Sequence, residues 1–257
     1  MGARITVQRS RAARFARTAG VFSVPVLVLT ALGHRYGLVP ETALVALIST
    51  GILFAILGVS AGLYALVDIW WNGEEGAGSA VLGVVYSVPG TLLFAAAVYA
   101  LAVYPRLNDI STDTVDPPAY LTLRGIPAER VAPPPPERRE VQFSAYPDIT
   151  ARRYPVNLTR VFDAAKLVVE DRGWQIVATS EPGPEATQAA IQAVSRTLLF
   201  RFTDHVVIRM ILEPGGTRVD VRSASTYGLH DLGQNARRIR AFLAALDLAL
   251  QGERSDI

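Results

Sequence analysis

Three long apolar runs fill the first two-fifths of the chain, at residues 19–39, 43–71 and 79–104, and everything after Pro105 is polar and broken by proline. A bilayer core takes about 20 mostly apolar helical residues, and each run is long enough. Backbone amides in lipid must be satisfied within their own segment, so helices are the expected form. Apolar runs beyond about 18 residues are rare in soluble domains, which sets aside three buried helices of a large soluble protein. The expected fold class is a membrane all-α N-terminal region of three transmembrane helices, followed by a water-exposed α+β domain.

The first run is the weakest of the three. Pro25 interrupts it, and His34 and Arg35 sit near its end. A signal peptide with a small-x-small site at Ala31 and Gly33 is the alternative; the apolar run continues to Val39, which favours an uncleaved helix. Residues 1–18 form a basic arm with Arg4, Arg9, Arg11, Arg14 and Arg17 and no acid. Positive residues stay in the cytoplasm, so the N-terminus is predicted inside. Three crossings then put the C-terminal domain outside, in a multi-pass protein of the bacterial cytoplasmic (inner) membrane. The loop at 72–78 has Glu74 and Glu75 and no Lys or Arg, so the orientation rests on the arm. Trp70, Trp71, Tyr99 and Tyr104 are expected interfacial anchors. Gly58 and Gly62 permit close helix contact, within the bundle or in a homo-oligomer. Pro89 is expected to kink the third helix. Asp68, the one acid inside a span, lies within a turn of Trp70 and reads as an interfacial carboxylate.

The chain has 257 residues and no cysteine, which excludes disulfides and thiolate chemistry. Lys166 is the single lysine among 25 basic residues, a pattern of high-GC bacterial coding. From Pro105 onward acids and bases are equal in number. A neutral domain without a basic stripe argues against a nucleic-acid partner. The lipid bilayer is the expected partner, with a lipid headgroup, a glycan or an envelope protein as candidate ligands.

Residues 105–155 are rich in proline and read as a linker or extended arm. The four prolines from Pro133 to Pro136 predict a semi-rigid polyproline segment that holds the domain away from the bilayer. Residues 106–120 are expected to pack along the domain.

The domain proper is read as 156–251, with a tail at 252–257. Leu158, Val161, Phe162, Ala165, Val168 and Val169 have helical spacing, with Asn157 to cap the start and Gly173 the end. Four strands follow, at 174–179, 187–194, 205–212 and 217–223. Around the loop Glu213-Pro214-Gly215-Gly216, pairing Leu212 with Thr217 sets Met210 opposite Val219, Ile208 opposite Val221, Arg209 opposite Asp220 and Val207 opposite Arg222. One face of this hairpin is apolar. The other carries Arg209, Asp220 and Arg222 and reads first as a solvated face with a cross-strand pair contributing about 0.2–1 kcal/mol, the alternative being a face covered by the proline-rich arm. Asp231 and Gln234 have capping-box spacing before a last helix lined by Ile239, Phe242, Leu243, Leu246 and Leu250. The order helix, four-stranded antiparallel sheet, helix makes a two-layer sandwich.

The stretch 219–246 reads VDVRSASTYGLHDLGQNARRIRAFLAAL. It resembles the bacterial and plastid family of unknown function numbered 1499, whose pattern is D-x-R-S-x-S and then G-x-x-D-x-G-x-N-x-x-R-I. These fall on Asp220, Arg222, Ser223, Ser225, Gly228, Asp231, Gly233, Asn235, Arg238 and Ile239. Upstream, Phe200, Phe202, Asp204, 206–208 and Arg209 match a second pattern, and Asn108 to Asp113 with Pro117 and Pro118 a third. The resemblance covers about 106–250. Thr226 stands where the family often has Arg, and His205 where it often has a second acid. No activity comes with the resemblance.

The candidate binding residues are Arg209, Asp220, Arg222, Ser223, Ser225, Asp231, Asn235 and Arg238. Arg222, Ser223, Ser225, Asp231 and Asn235 are expected to converge beyond the strand end. One reading is structural, with Asp231 capping the helix, Asn235 and Ser225 satisfying loop backbone and Arg222 pairing with an acid. Another is a binding site in which Arg222 holds an anionic group. A third is a hydrolase using Ser223 or Ser225 with His205 or His230, although no nucleophile elbow is present. No cofactor and no metal site is expected from three scattered histidines.

Overall fold

The structure is a computed structural model that describes residues 8–128, 131–197 and 200–252. It divides into two compact units, residues 1–99 and 100–257.

The first unit is helical. α1 (Arg11–Arg35), α2 (Glu41–Asn72) and α3 (Ala77–Val103) are each long and apolar enough to cross a membrane. α1 begins eight residues before the apolar run expected at Ala19. Ser10 sets this start by accepting the Ala13 amide at 3.4 Å, and Arg11, Arg14 and Arg17 point outward from its first turns. Small residues face inward: Ala16, Gly20, Ala55, Gly58, Gly83 and Ser87 are buried, while Leu29, Leu63 and Leu92 are exposed. This is the pattern of a lipid-facing bundle, where close backbone approach replaces hydrophobic burial. A side chain added at Gly58 would run into Ser87 and Gly20, and one at Gly62 into Val84 and Ala80. The glycine pair thus packs α2 against α1 and α3 within one chain. Asp68 accepts from the Asn72 side chain at 2.6 Å.

The second unit has two helices on one face of an antiparallel sheet. α4 (Pro136–Ala145) precedes α5 (Leu158–Asp171), and α6 (Gln234–Gly252) is the last element among the described residues. The sheet has six strands, not the four expected: β1 (Asp109–Ser111), β2 (Arg152–Tyr154), β3 (Gln175–Ser180), β4 (Gln188–Arg196), β5 (Thr203–Glu213) and β6 (Gly216–Ser225). The order is β1-β6-β5-β4-β3, and β2 also pairs with β6. The two unforeseen strands come from the segment read as a linker. β1 pairs with Arg222 to Ala224 and β2 with Thr217 to Val219, so together they line the outer edge of β6. Between them the Thr112 amide donates to the Val221 carbonyl and the Val221 amide to Thr112 Oγ1, both at 2.9 Å. An edge strand that would otherwise offer unpaired backbone is closed in this way.

The β5–β6 register is the one the alternation predicts, including Arg209 opposite Asp220 and Val207 opposite Arg222. Asn157 accepts the Arg160 amide at 2.9 Å, and Gly173, at φ 66°, takes the left-handed position that ends α5. Val161, Phe162, Val169, Ile239, Phe242 and Leu246 pack on Ile191, Ile208, Met210, Val219 and Val221 to form the core. Each such side chain contributes roughly 1.5–3 kcal/mol over remaining exposed.

The opposite sheet face is not solvated. Residues 112–128 fold back across it as an arm, and Ala132 also reaches it. Gln192 is fully buried there; its Oε1 accepts the Leu121 and Thr122 amides at 2.7 and 2.9 Å, and its Nε2 donates to the Thr122 carbonyl at 3.0 Å. From α4, Gln142 makes the same two-sided bond to the Ser111 backbone, at 3.1 and 2.6 Å. The proline run ends with Pro136 as the first residue of α4, where its missing N–H costs nothing. The described part of 105–155 thus contributes β1, β2, α4 and the arm to the second unit.

Candidate functional site

Side chains alternate across a strand, and β6 sends its signature residues to both faces. Arg222, with Arg209 and Asp220, lies under the arm. Ser223 and Ser225 lie on the helix side with Asp231, Asn235 and Arg238. The expected convergence of Arg222 with the serines does not occur, because neighbours in sequence on a strand cannot share a face.

Under the arm, Arg222 is 2% exposed. It grips Asp109 of β1 with two parallel bonds, Nε to Oδ1 at 3.1 Å and Nη2 to Oδ2 at 2.7 Å. Its guanidinium lies 4.6 Å from the centre of the Tyr120 ring and also donates to the Pro118 and Ala132 carbonyls. Burial works against this charge, and Asp109 outweighs it, so the Arg222 pKa lies above its ordinary value. Arg209 donates to Asp116 at 2.7 Å and to Asp113 and Asp220 at 3.2 Å. Asp220 has no exposed surface and also faces Arg218 at 3.1 Å. Burial pushes its carboxyl up from the ordinary value, against the pull of Arg218 and Arg209. The face read as solvated, with one marginal pair, is a buried ionic network that ties the arm to the sheet.

On the helix side, the Ser223 hydroxyl donates to Asn235 Oδ1 at 2.8 Å. Asn235 donates in turn to the Asn108 carbonyl at 3.1 Å and to Ser225 at 3.0 Å. Arg238 donates to Ser223 at 2.9 Å, to Asn235, and to Asp204 of β5. Asp231 accepts the Gly233 and Asn235 amides, both at 2.8 Å, at the start of α6. Burial pushes its carboxyl up, and these two amides oppose the shift. Asn108 stands at the entry to β1, so this cluster fastens β1, β5, β6 and α6 together.

Nucleophilic chemistry needs a base on the hydroxyl. Among the described residues no histidine bonds either serine. His205 lies on the arm side, where Nε2–H donates to the Gly125 carbonyl at 3.2 Å. His230 donates from Nε2 to the Tyr104 carbonyl at 3.1 Å and accepts the Leu232 amide on Nδ1 at 2.9 Å. No three His, Cys, Asp or Glu side chains among the described residues are grouped to hold a metal ion.

Several partners of the signature are absent from the eight expected residues. Asp109, Asn108, Asp113 and Asp204 sit inside the quoted family patterns, and that was their available signal. Gln192 had another: it is the one polar residue amid Ala189, Ala190, Ile191, Ala193 and Val194. Asp116 and Tyr120, in the proline-rich arm, had none. Open cavities lie elsewhere. One of about 440 Å³ is lined by Leu101, Tyr104, Arg106, Leu229 and His230. Another of about 330 Å³ lies beside Arg152, Tyr154, Asp247 and Gln251.

A family model described as a protein of unknown function (DUF1499) matches residues 109–246. No curated protein and no solved structure matches the chain. The match begins at Asp109, the partner of Arg222, and runs through β6 to α6, so it takes in both buried networks apart from Asn108. The chain belongs to this family of unknown function, DUF1499.

Proposed function

We propose that this chain is a membrane-anchored binding module of the bacterial cell envelope. In this reading it sits in the cytoplasmic membrane with its N-terminus inside and its α+β domain outside. One observation carries the choice of a binding module over an enzyme: the polar signature is used up internally. Arg222, Ser223 and Asn235 are each at most 2% exposed and bonded to other parts of the fold. Groups held this way build a rigid frame and leave no reactive atom facing substrate. The orientation is supported by the arginines of the first turns of α1.

The absence of cysteine makes the test direct. Ser144 is exposed on α4. A Ser144→Cys variant should react with a membrane-impermeant maleimide in intact cells as fully as in lysed ones. Labelling only after lysis would place the domain in the cytoplasm and end the envelope reading.

A further inference from the structure

The 440 Å³ cavity beside Leu101, Tyr104, Arg106, Leu229 and His230 has chemistry that the buried networks do not use. All five residues belong to the second unit. Leu101 lies in the last turn of α3, the third candidate span, so one wall of the cavity is the end of that helix, at the depth where a bilayer core would end. Tyrosine is favoured at that depth because its ring is apolar and its hydroxyl is wet.

Arg106 is exposed and, among the described residues, has no hydrogen-bond or ion-pair partner. This sets it apart from Arg209, Arg218, Arg222, Arg238 and Arg240, each of which meets an Asp. Tyr104 supplies a second donor. Its hydroxyl oxygen already accepts from Arg237 Nη1 at 2.9 Å, so its own proton has no acceptor among the described residues. Arg237 lies over the Tyr104 ring, 5.1 Å from its centre, and has no carboxylate partner there. His230 is a wall and not a donor: both ring nitrogens are engaged, with the Tyr104 carbonyl and the Leu232 amide. The nearest acid in sequence, Asp231, is buried and turned onto the Gly233 and Asn235 amides. No acid lines the cavity. Its remaining walls are Leu101 and Leu229, and Leu229 is 50% exposed, with Tyr227 of the same loop at 47%.

An unpaired guanidinium, a free phenolic proton and a second nearby cation suit a phosphate ester. Exposed leucines, Leu101 in the last turn of a candidate span and Leu229 in the loop before α6, suit the glycerol and first methylenes of a lipid. We propose that this cavity binds the phosphate of an anionic phospholipid, an assignment that deepens the envelope-binding reading and rests on it.

The test uses the full chain purified in dodecyl maltoside, with lipid binding counted by native mass spectrometry. Phosphatidylglycerol should bind at least about tenfold more tightly than phosphatidylcholine, and Arg106→Gln should remove roughly that factor. Because Arg106 has no partner to lose, its melting temperature should not move. Leu229→Asp, which places a like charge against the phosphate, should abolish the preference. Arg124→Gln, at an exposed arginine on the arm, should leave it intact. Equal losses at Arg106 and Arg124, or no preference in the parent chain, would overturn the site. Displacement of the lipid by millimolar glycerol phosphate would assign the cavity to a soluble phosphate ester and overturn the lipid. The maleimide test is independent. A domain that labels outside but shows no preference loses only this cavity, and one that labels inside loses the envelope reading whatever it binds.

Discussion

Two arginines with the same bidentate geometry show how burial decides what a charge pair does. Arg222 meets Asp109 with side chains 2% and 10% exposed. Arg240 meets Asp148 at 2.6 and 2.7 Å with side chains 41% and 55% exposed. Removing one partner of a buried pair leaves an uncompensated charge and costs about 3–5 kcal/mol. An exposed pair is screened and contributes about 0–1 kcal/mol. Arg222→Ala is therefore expected to lower the urea midpoint of the domain by several-fold more than Arg240→Ala, whose effect should be near the error of the measurement. Equal effects would mean that Arg222 does not fasten the arm. A ligand-binding defect in Arg222→Ala without loss of stability would return this residue to the anion-binding site that was the second reading of its sequence. The sequence showed that Arg222 belongs to a signature, but not that it is buried. Its partner lies more than a hundred positions away, on a three-residue strand with no periodicity to read.

The arm is the element whose path the sequence leaves open: residues 106–120 are expected along the domain, with the second sheet face either bare or covered by them. Proline content and lack of periodicity describe a linker equally well when the chain is free and when it lies flat on a sheet. The hairpin was the opposite case. Its two strands are long, they alternate strictly, and the loop fixes the register, so the pairs from Leu212–Thr217 to Val207–Arg222 are legible in the sequence. α5 and α6 were legible for the same reason, through their stripe of apolar residues and their capping side chains. What periodicity could not report was which surface covers the second face of the sheet. His205 gives that cover a pH dependence. Buried beneath the arm, it donates to Gly125, and burial holds its pKa below the ordinary 6.5 despite the pull of Gly125 and Asp204. A depressed histidine stays neutral in the fold while the unfolded chain takes up a proton. Stability from this group is thus complete above about pH 6.5 and is lost as the pH falls toward the folded value. Melting temperatures between pH 7.5 and 5 should fall on acidification, and His205→Asn should flatten that slope. An unchanged slope in the variant would assign the acid sensitivity to other groups.

At the scale of the whole molecule, the second compact unit takes in more of the chain than the part with readable periodicity. The polar chain begins near Pro105, and helical spacing begins near Leu158, which made 156–251 the natural domain. The compact unit instead starts at Ala100, and Leu107, Ile110, Tyr146 and Ile149, all outside 156–251, are buried in its core. The same missing stretch supplies Asp109 to Arg222 and Asp113 and Asp116 to Arg209, both strands on the outer edge of β6, and the Asn108 carbonyl that holds Asn235. A fragment of residues 156–251 would present an uncovered face with Arg209, Asp220 and Arg222 and an open β6 edge, which is the usual route to aggregation. A fragment of residues 100–257 retains one closed core and, by the criterion that a domain carries its own core, folds alone. The longer fragment is expected to unfold in one cooperative thermal transition followed by circular dichroism, at about the temperature of the domain in the full chain. The shorter one should show no cooperative transition or precipitate. If 156–251 melts cooperatively at a similar temperature, the arm is a dispensable cover and its ionic network adds little to the fold. If it fails while 100–257 folds, the strands, arm and helix contributed by the proline-rich segment are what make this sheet a domain.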